Sequence, residues 1–174
     1  AKFGTPEQKE KYLKPLLNAK IASCYSMTEP QAGADPGEFL CTATRDGDDW
    51  IINGEKWFAS HARFSAFLLV MVVTNPDAPI HEGASIFLVE QGTPGMEIIR
   101  NSAVGPYIEQ GDGVHAYISF KDCRVPAENL LGSEGQGFHV AQTRLGGGRV
   151  HHAMRTVGVI RRAIDMMCER ALSL

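Results

Sequence analysis

From residue 21 to about residue 131 the chain is a succession of short strand-like runs, each closed by a turn signal, and this pattern limits the fold more than any other feature. Residues 40–45 read as strand, Asp46-Gly47-Asp48-Asp49 as a turn and 50–52 as strand. Asn53-Gly54 is the strongest two-residue hairpin signal, and 55–60 is strand again. Further runs cover 67–74, 84–90, 96–100 and 114–120. They are separated by Asn75-Pro76-Asp77, by Gly92-Thr93-Pro94-Gly95 and by a loose glycine-rich stretch from Gly105 to Gly113. Seven or so short strands divided in this way argue for a small, mostly antiparallel β-barrel or sandwich.

Helical patterns flank the β region. Thr5-Pro6-Glu7-Gln8 offers an N-cap, a proline at N1 and an acidic first turn, opening a helix to about Leu17 with Tyr12, Leu13, Leu16 and Leu17 on one stripe. After Val125-Pro126 the period becomes helical over 134–145, is broken by Gly146-Gly147-Gly148, and resumes from about Arg149 to Leu172. Neither end carries a clear boundary signal, so a piece of a longer protein is expected, with part of the N-terminal stripe exposed.

Composition narrows the functional classes. A formal charge of -3 with scattered Lys and Arg argues against a nucleic-acid-binding stripe. Cys24, Cys41, Cys123 and Cys168 show neither C-x-x-C pairing nor metal spacing with His, so reduced thiols, at least two of them buried, are expected. The longest apolar run, 67–73, suits one buried strand and is too short to span a bilayer as a helix.

Where the apolar run from Ile21 ends, Tyr25-Ser26-Met27-Thr28-Glu29-Pro30-Gln31-Ala32-Gly33-Ala34-Asp35 places a hydroxyl, a carboxylate, a proline and a glycine within six positions. Such a loop can turn backbone N–H groups toward an anion or a flat polar ring. It resembles the flavin loop of the acyl-CoA dehydrogenase family, in which Thr-Glu-Pro-x-x-Gly-Ser-Asp is usual; only the Ser differs, being Ala34 here. Asn53-Gly54-Glu55-Lys56-Trp57-Phe58-Ala59-Ser60 is similar to that family's Asn-Gly-x-Lys-x-Trp-Ile-Thr strand. The segment 121–132, followed by Gly135-Gln136-Gly137-Phe138, is similar to its exit from the β domain.

The resemblance implies an α+β piece of a three-domain protein: residues 1–19 closing an N-terminal helical domain, 20–132 forming the middle β domain, and 133–174 starting a C-terminal helical domain. It implies FAD as cofactor, with Tyr25, Met27, Thr28, Gly33 and Ala34 at the flavin loop and Phe58, Ala59 and Ser60 on the strand whose aromatic faces the ring and whose next residues bond near N5. It implies acyl-CoA as substrate, near Ala34, Asp35 and Arg149. An electron-transfer flavoprotein as acceptor and a homodimer or homotetramer follow in the same way, with no metal. A cytoplasmic site in bacteria, or a mitochondrial or peroxisomal one in eukaryotes, is the corresponding expectation.

The residues also have plainer readings. Thr28 can cap a turn, Tyr25 and Met27 can be core strand residues, and Gly33 can be an ordinary loop glycine. Strict alternation would put one of Trp57 and Phe58 inward and the other outward. Arg149 is expected to open the long helix, with His151 and His152 in its first turn as a solvated or packed pair. The family's Asp three residues before that arginine is Gly146 here, and the Glu that some members place just before it is Gly148. Arg144 and the string Gly146-Gly147-Gly148-Arg149-Val150-His151-His152-Ala153-Met154-Arg155 resemble the subfamily joined in animals to kinase-like domains and its free-standing bacterial relatives.

Dehydrogenation of a thioester needs a carboxylate to take the α proton and an acceptor for the β hydride. The family's usual base lies in its C-terminal helical domain, and Glu29 belongs to the loop motif, so no catalytic base is expected in this chain. By itself it should hold FAD weakly or not at all. An oxidase or flavin-dependent hydroxylase of the same fold, or a non-catalytic acyl-CoA-binding relative, are the alternatives.

Overall fold

In a computed structural model of the chain, residues 1–103 and 114–173 are described; the glycine-rich stretch 105–113 singled out in the sequence lies outside them. The chain forms two compact units, residues 1–140 and residues 141–174.

The first unit opens with the expected cap. Gln8 N–H donates to Thr5 Oγ1 and Thr5 N–H donates to Gln8 Oε1, both at 3.2 Å, a reciprocal capping box. Helix α1 (Pro6–Gln8) continues through a wider π-helical turn (Lys9–Leu13) into α2 (Lys14–Leu17). Gln8 then turns inward and donates to the carbonyls of Glu128 and Leu130 at 2.8 and 2.9 Å, tying this helix to the far end of the β region. Tyr12 is buried against Phe67 and Leu88, whereas Leu17 is 76% exposed, so the stripe is only partly covered.

The β region is one seven-stranded mixed sheet, formed by β1 (Ser23–Ser26), β2 (Thr42–Asp46), β3 (Asp49–Ser60), β4 (Phe67–Val73), β5 (Ala84–Glu90), β6 (Met96–Asn101) and β7 (His115–Pro126). Strands neighbour one another in the order β1-β4-β2-β3-β7-β6, with β5 pairing β4. The expected small β domain is therefore present, but β1 and β2 both run parallel to β4, through Ser23↔Phe67 and Thr42↔Val73. Nearly every residue of β4 is buried because both its faces are covered: Leu68, Val70 and Val72 join the main core with Trp50, Ile52, Phe87 and Phe120, while Phe67 and Leu69 meet Tyr12 on the other side.

Asn53-Gly54 is not a hairpin turn. β3 runs straight through it, and the ladder to β7 slips by one residue between Ile52 and Gly54. Gly54 has φ +135°, and a Cβ there would lie 2.6 Å from Cys41 Cα, so close passage of two backbones selects glycine where the dipeptide alone suggests a turn. The reversal instead falls at Gly47, between β2 and β3.

Gly146-Gly147-Gly148 likewise makes no break. One helix, α4 (Gly137–Leu172), passes through all three glycines, so Arg149 lies inside it and does not open it. Each glycine costs about 1 kcal/mol relative to alanine, which weakens a helix but does not forbid it. His151 and His152 consequently sit in the helix interior, with ring centroids 5.8 Å apart. The second unit is α4 from residue 141 onward, with Val150, Met154, Val157, Ile160 and Ile164 exposed. Its Cys168 is exposed, while Cys24, Cys41 and Cys123 are buried free thiols.

Candidate functional site

β1 ends at Ser26, and the loop from Met27 to Asp35 leaves the sheet edge there. Its tightest part is a turn in which Glu29 N–H donates to Ala32 C=O (3.0 Å) and Ala32 N–H donates to Glu29 C=O (3.1 Å), with Pro30 fixing φ between them. The Glu29 side chain points into the protein and is almost fully enclosed. It accepts from Leu40 N–H at 2.7 Å, from Cys41 N–H at 3.2 Å, from Gln31 Nε2 at 2.7 Å and from Lys56 Nζ at 2.7 Å.

Lys56 is the largest fully buried side chain among the described residues. Its ammonium donates to Glu29 and to Met27 C=O (2.9 Å), and it lies 4.4 Å from the centroid of the Phe39 ring. Burial pushes its pKa down, against the pull of Cys41 and Glu29. A buried charge is tolerated only when paired and hydrogen-bonded, and here the partners are the loop itself. The sequence gives Lys56 no role beyond its place in the Asn53–Ser60 motif. The available signal was a lysine at an inward position on a strand that carries Trp50 and Ile52 on that same face.

β3 holds the second half of the site. Trp57 N–H donates to Thr28 C=O at 2.7 Å, which fastens the strand directly to the loop. A second slip in the β3–β7 ladder falls between Lys56 and Ala59, and Phe58 there has φ +53°. A bulky residue in the left-handed region stores about 1–3 kcal/mol of strain. The bulge also overturns simple alternation: neither Trp57 nor Phe58 is buried, and their rings stack at 4.5 Å with 27° between planes. Inward facing resumes at Ala59, which is wholly buried, backbone included, so the structure gives this expected flavin-site residue no surface for a ligand.

The other expected site residues divide between the two units. Tyr25 is paired with Leu69 in the sheet. Met27 is half-buried, and its carbonyl is taken by Lys56. Thr28 is half-buried, while Gly33 and Ala34 are exposed. Asp35 caps the short turn Pro36–Glu38, its Oδ1 accepting from Gly37 N–H at 2.8 Å. Ser60 Oγ lies 2.9 Å from His115 Nδ1. Arg149 belongs to the second unit and donates to Gln142 Oε1 at 2.6 Å. The first unit thus brings together the loop and the strand 57–60.

The loop suits a flat polar ligand. The Thr28 N–H and hydroxyl and the N–H groups of Gly33 and Ala34 make no hydrogen bond among the described residues, whereas the Glu29 carboxylate, the Met27 carbonyl and the Glu29 and Ala32 backbone groups are all used. A Cβ on Gly33 would meet the Thr28 methyl at 3.9 Å and fill the space beside it. Unspent donors next to a stacked aromatic pair form a surface on which a ring can lie edge-bonded and face-packed.

Comparison with known proteins shows the family. Residues 24–123 match the family described as acyl-CoA dehydrogenase, middle domain, and residues 135–173 match acyl-CoA dehydrogenase, C-terminal domain. The chain is 46% identical over 171 residues to "Probable acyl-CoA dehydrogenase FadE2" of Mycobacterium tuberculosis, covering 97% of this chain and 42% of the relative. It is 44% identical over 173 residues to "Acyl-CoA dehydrogenase family member 11" of Homo sapiens, covering 97% of this chain and 22% of the relative. Among solved structures, the one described as "Structure of a putative acyl-CoA dehydrogenase from Mycobacterium abscessus" superposes with a TM-score of 0.80 at 38% identity, over 88% of this chain and 38% of that one. The chain therefore spans well under half the length of the relatives it matches, and it belongs to the acyl-CoA dehydrogenase family.

Proposed function

We propose that this chain is the flavin-loop portion of a longer FAD-dependent acyl-CoA dehydrogenase, one that removes hydrogens from the α and β carbons of an acyl-CoA thioester. The observation that carries this reading is the hydrogen bond from Trp57 N–H to Thr28 C=O, which fastens the open donors of the loop to the stacked Trp57–Phe58 pair. When bound, FAD supplies the acceptor for the β hydride.

The chain's own residues bind and orient. Thr28, Gly33 and Ala34 offer N–H groups, Thr28 and Ser60 offer hydroxyls, and Tyr25 and Met27 lie beside them at the end of β1. Phe58, 37% exposed, covers one face and keeps water from it. Ala34, Asp35 and Arg149 are the residues proposed to meet the acyl-CoA. Asp35 retains one carboxylate oxygen for that purpose, since its cap uses only Oδ1.

Glu29 does not serve as the base. Its oxygens are filled by Lys56, two backbone N–H groups and Gln31, and no proton could reach it without dismantling the loop. Gly148 leaves no carboxylate before Arg149. The carboxylate that takes the α proton is therefore proposed to come from outside these residues. An electron-transfer flavoprotein as acceptor and a homodimer or homotetramer complete the proposal.

Anaerobic titration of the full-length protein with acyl-CoAs of several chain lengths tests it. Bleaching of the flavin band is the expected result. A band unchanged by every thioester would overturn the dehydrogenase reading in favour of a hydroxylase or a binding module. This chain alone is expected to lose FAD on gel filtration, and stoichiometric retention would contradict the division of the site.

A further inference from the structure

We propose that His115 is a positioning residue for the proposed flavin site: its imidazole holds the Ser60 hydroxyl so that the serine proton points toward the cofactor edge. This rests on the FAD reading above, but its evidence is separate. Ser60 and His115 oppose each other directly across the β3–β7 ladder, and Ser60 Oγ and His115 Nδ1 are 2.9 Å apart. The His115 ring also meets Phe58 edge-on at 6.3 Å, with 70° between planes. One side chain of β7 thus touches both the hydroxyl and the aromatic that the bulge turns outward.

A serine hydroxyl has one proton and two lone pairs, and on an open strand it rotates among staggered positions. The imidazole removes that freedom. With the proton on Nδ1, His115 donates to Ser60, and the serine O–H is left to donate elsewhere. With the proton on Nε2, Ser60 must donate to Nδ1 and presents only lone pairs. The ring therefore sets whether Ser60 is a donor or an acceptor to a ligand. The nearest alternative acceptor, Phe58 C=O, lies at 3.5 Å and competes weakly. A donor is the arrangement suited to an electron acceptor, because it stabilises negative charge arriving on the cofactor.

The test is the midpoint potential of bound FAD in the full-length holoprotein. His115→Ala and Ser60→Ala are each expected to lower it by about 30 mV, a tenfold change for a two-electron couple. The double substitution is expected to lower it no further, since the two residues act as one device. His115→Asn, whose side-chain amide can keep an N–H donor near the place of Nδ1, is expected to restore the native value. His115→Val supplies the strand-compatible deletion where alanine fails to fold. A His115 variant that leaves the potential unchanged, an upward shift, or shifts that add in the double variant would overturn the proposal. Full-length native protein that holds no FAD would sink the flavin reading and the proposal with it, whereas a loaded protein indifferent to residue 115 would sink the proposal alone.

Discussion

Replacing Lys56 by Met would test whether the buried ion pair is what shapes the loop. The substitution keeps most of the side chain's length and removes the charge. Glu29 would then remain a buried carboxylate short of its strongest partner, and Met27 C=O would lose its donor. Breaking one side of a buried, hydrogen-bonded pair costs about 3–5 kcal/mol. The backbone donors from Leu40 and Cys41 stay in place and hold the loss within that range. With a urea slope of about 2 kcal/mol per molar, the midpoint should fall by roughly 1.5–2.5 M. Trp50 in the core and Trp57 at the site report the transition by fluorescence. Glu29→Gln should cost a similar amount, and the double variant about 1–3 kcal/mol less than the sum, because neither partner is left charged and alone. A Lys56→Met midpoint within about 0.5 M of the native one, at unchanged slope, would refute the account: the pair would then be replaceable by an apolar contact.

Three further perturbations separate the other elements. Phe58→Gly relieves the left-handed strain while losing the stack on Trp57, so stability should move by less than about 1 kcal/mol while the full-length protein loses FAD on dialysis; a large stability loss would assign the strain to folding. Gly54→Ala drives a methyl against Cys41 Cα at φ +135° and should destabilise by about 2 kcal/mol or more, read as a drop in thermal midpoint. Burial pushes the Cys41 thiol from 9.0 up to about 12, so its contribution is fully present below pH 9 and is lost as pH rises from there toward 12. The stability difference between native chain and Cys41→Ala should accordingly shift against the native chain by about 1.4 kcal/mol per pH unit above pH 9, whereas a difference flat to pH 11 would mean that the thiol ionises as freely folded as unfolded.

Local signals were legible wherever chemistry and geometry coincide within a few residues. Thr5 and Gln8 form the cap that their spacing implies, and the run Ala84–Glu90 is a strand from end to end. The family, too, could be read from the Thr28–Asp35 loop and the Lys56 strand together. What escaped depended on partners distant in sequence. Gly54 is a glycine because Cys41 passes against it, and nothing between residues 50 and 58 records that approach. The β3 bulge at Phe58 appears only once β7 is laid alongside, since the extra residue has no meaning without a ladder to interrupt. The burial of Lys56 rests on an acid 27 residues earlier, a partner that the strand 50–60 does not record. His115 was passed over because its partner Ser60 lies 55 residues away. In the triple glycine, by contrast, a local rule was applied too strongly, for continuation of the helix outweighs three modest penalties.

The ion pair and the Trp57–Thr28 bond both join the loop to a strand that is itself correct only when β7 holds it through two slips of register. Until β3 has found that alignment, Glu29 has no lysine to meet and the chain between Met27 and Asp35 has no defined shape. The loop therefore belongs among the last parts to order during folding, since it waits on non-local pairings that are slow to form. A chain trapped with β3 shifted by one residue would keep much of its sheet yet present no cofactor surface. On the proposed flavin reading, cofactor capture would act as a proofreading step, drawing only correctly threaded molecules into the stable population.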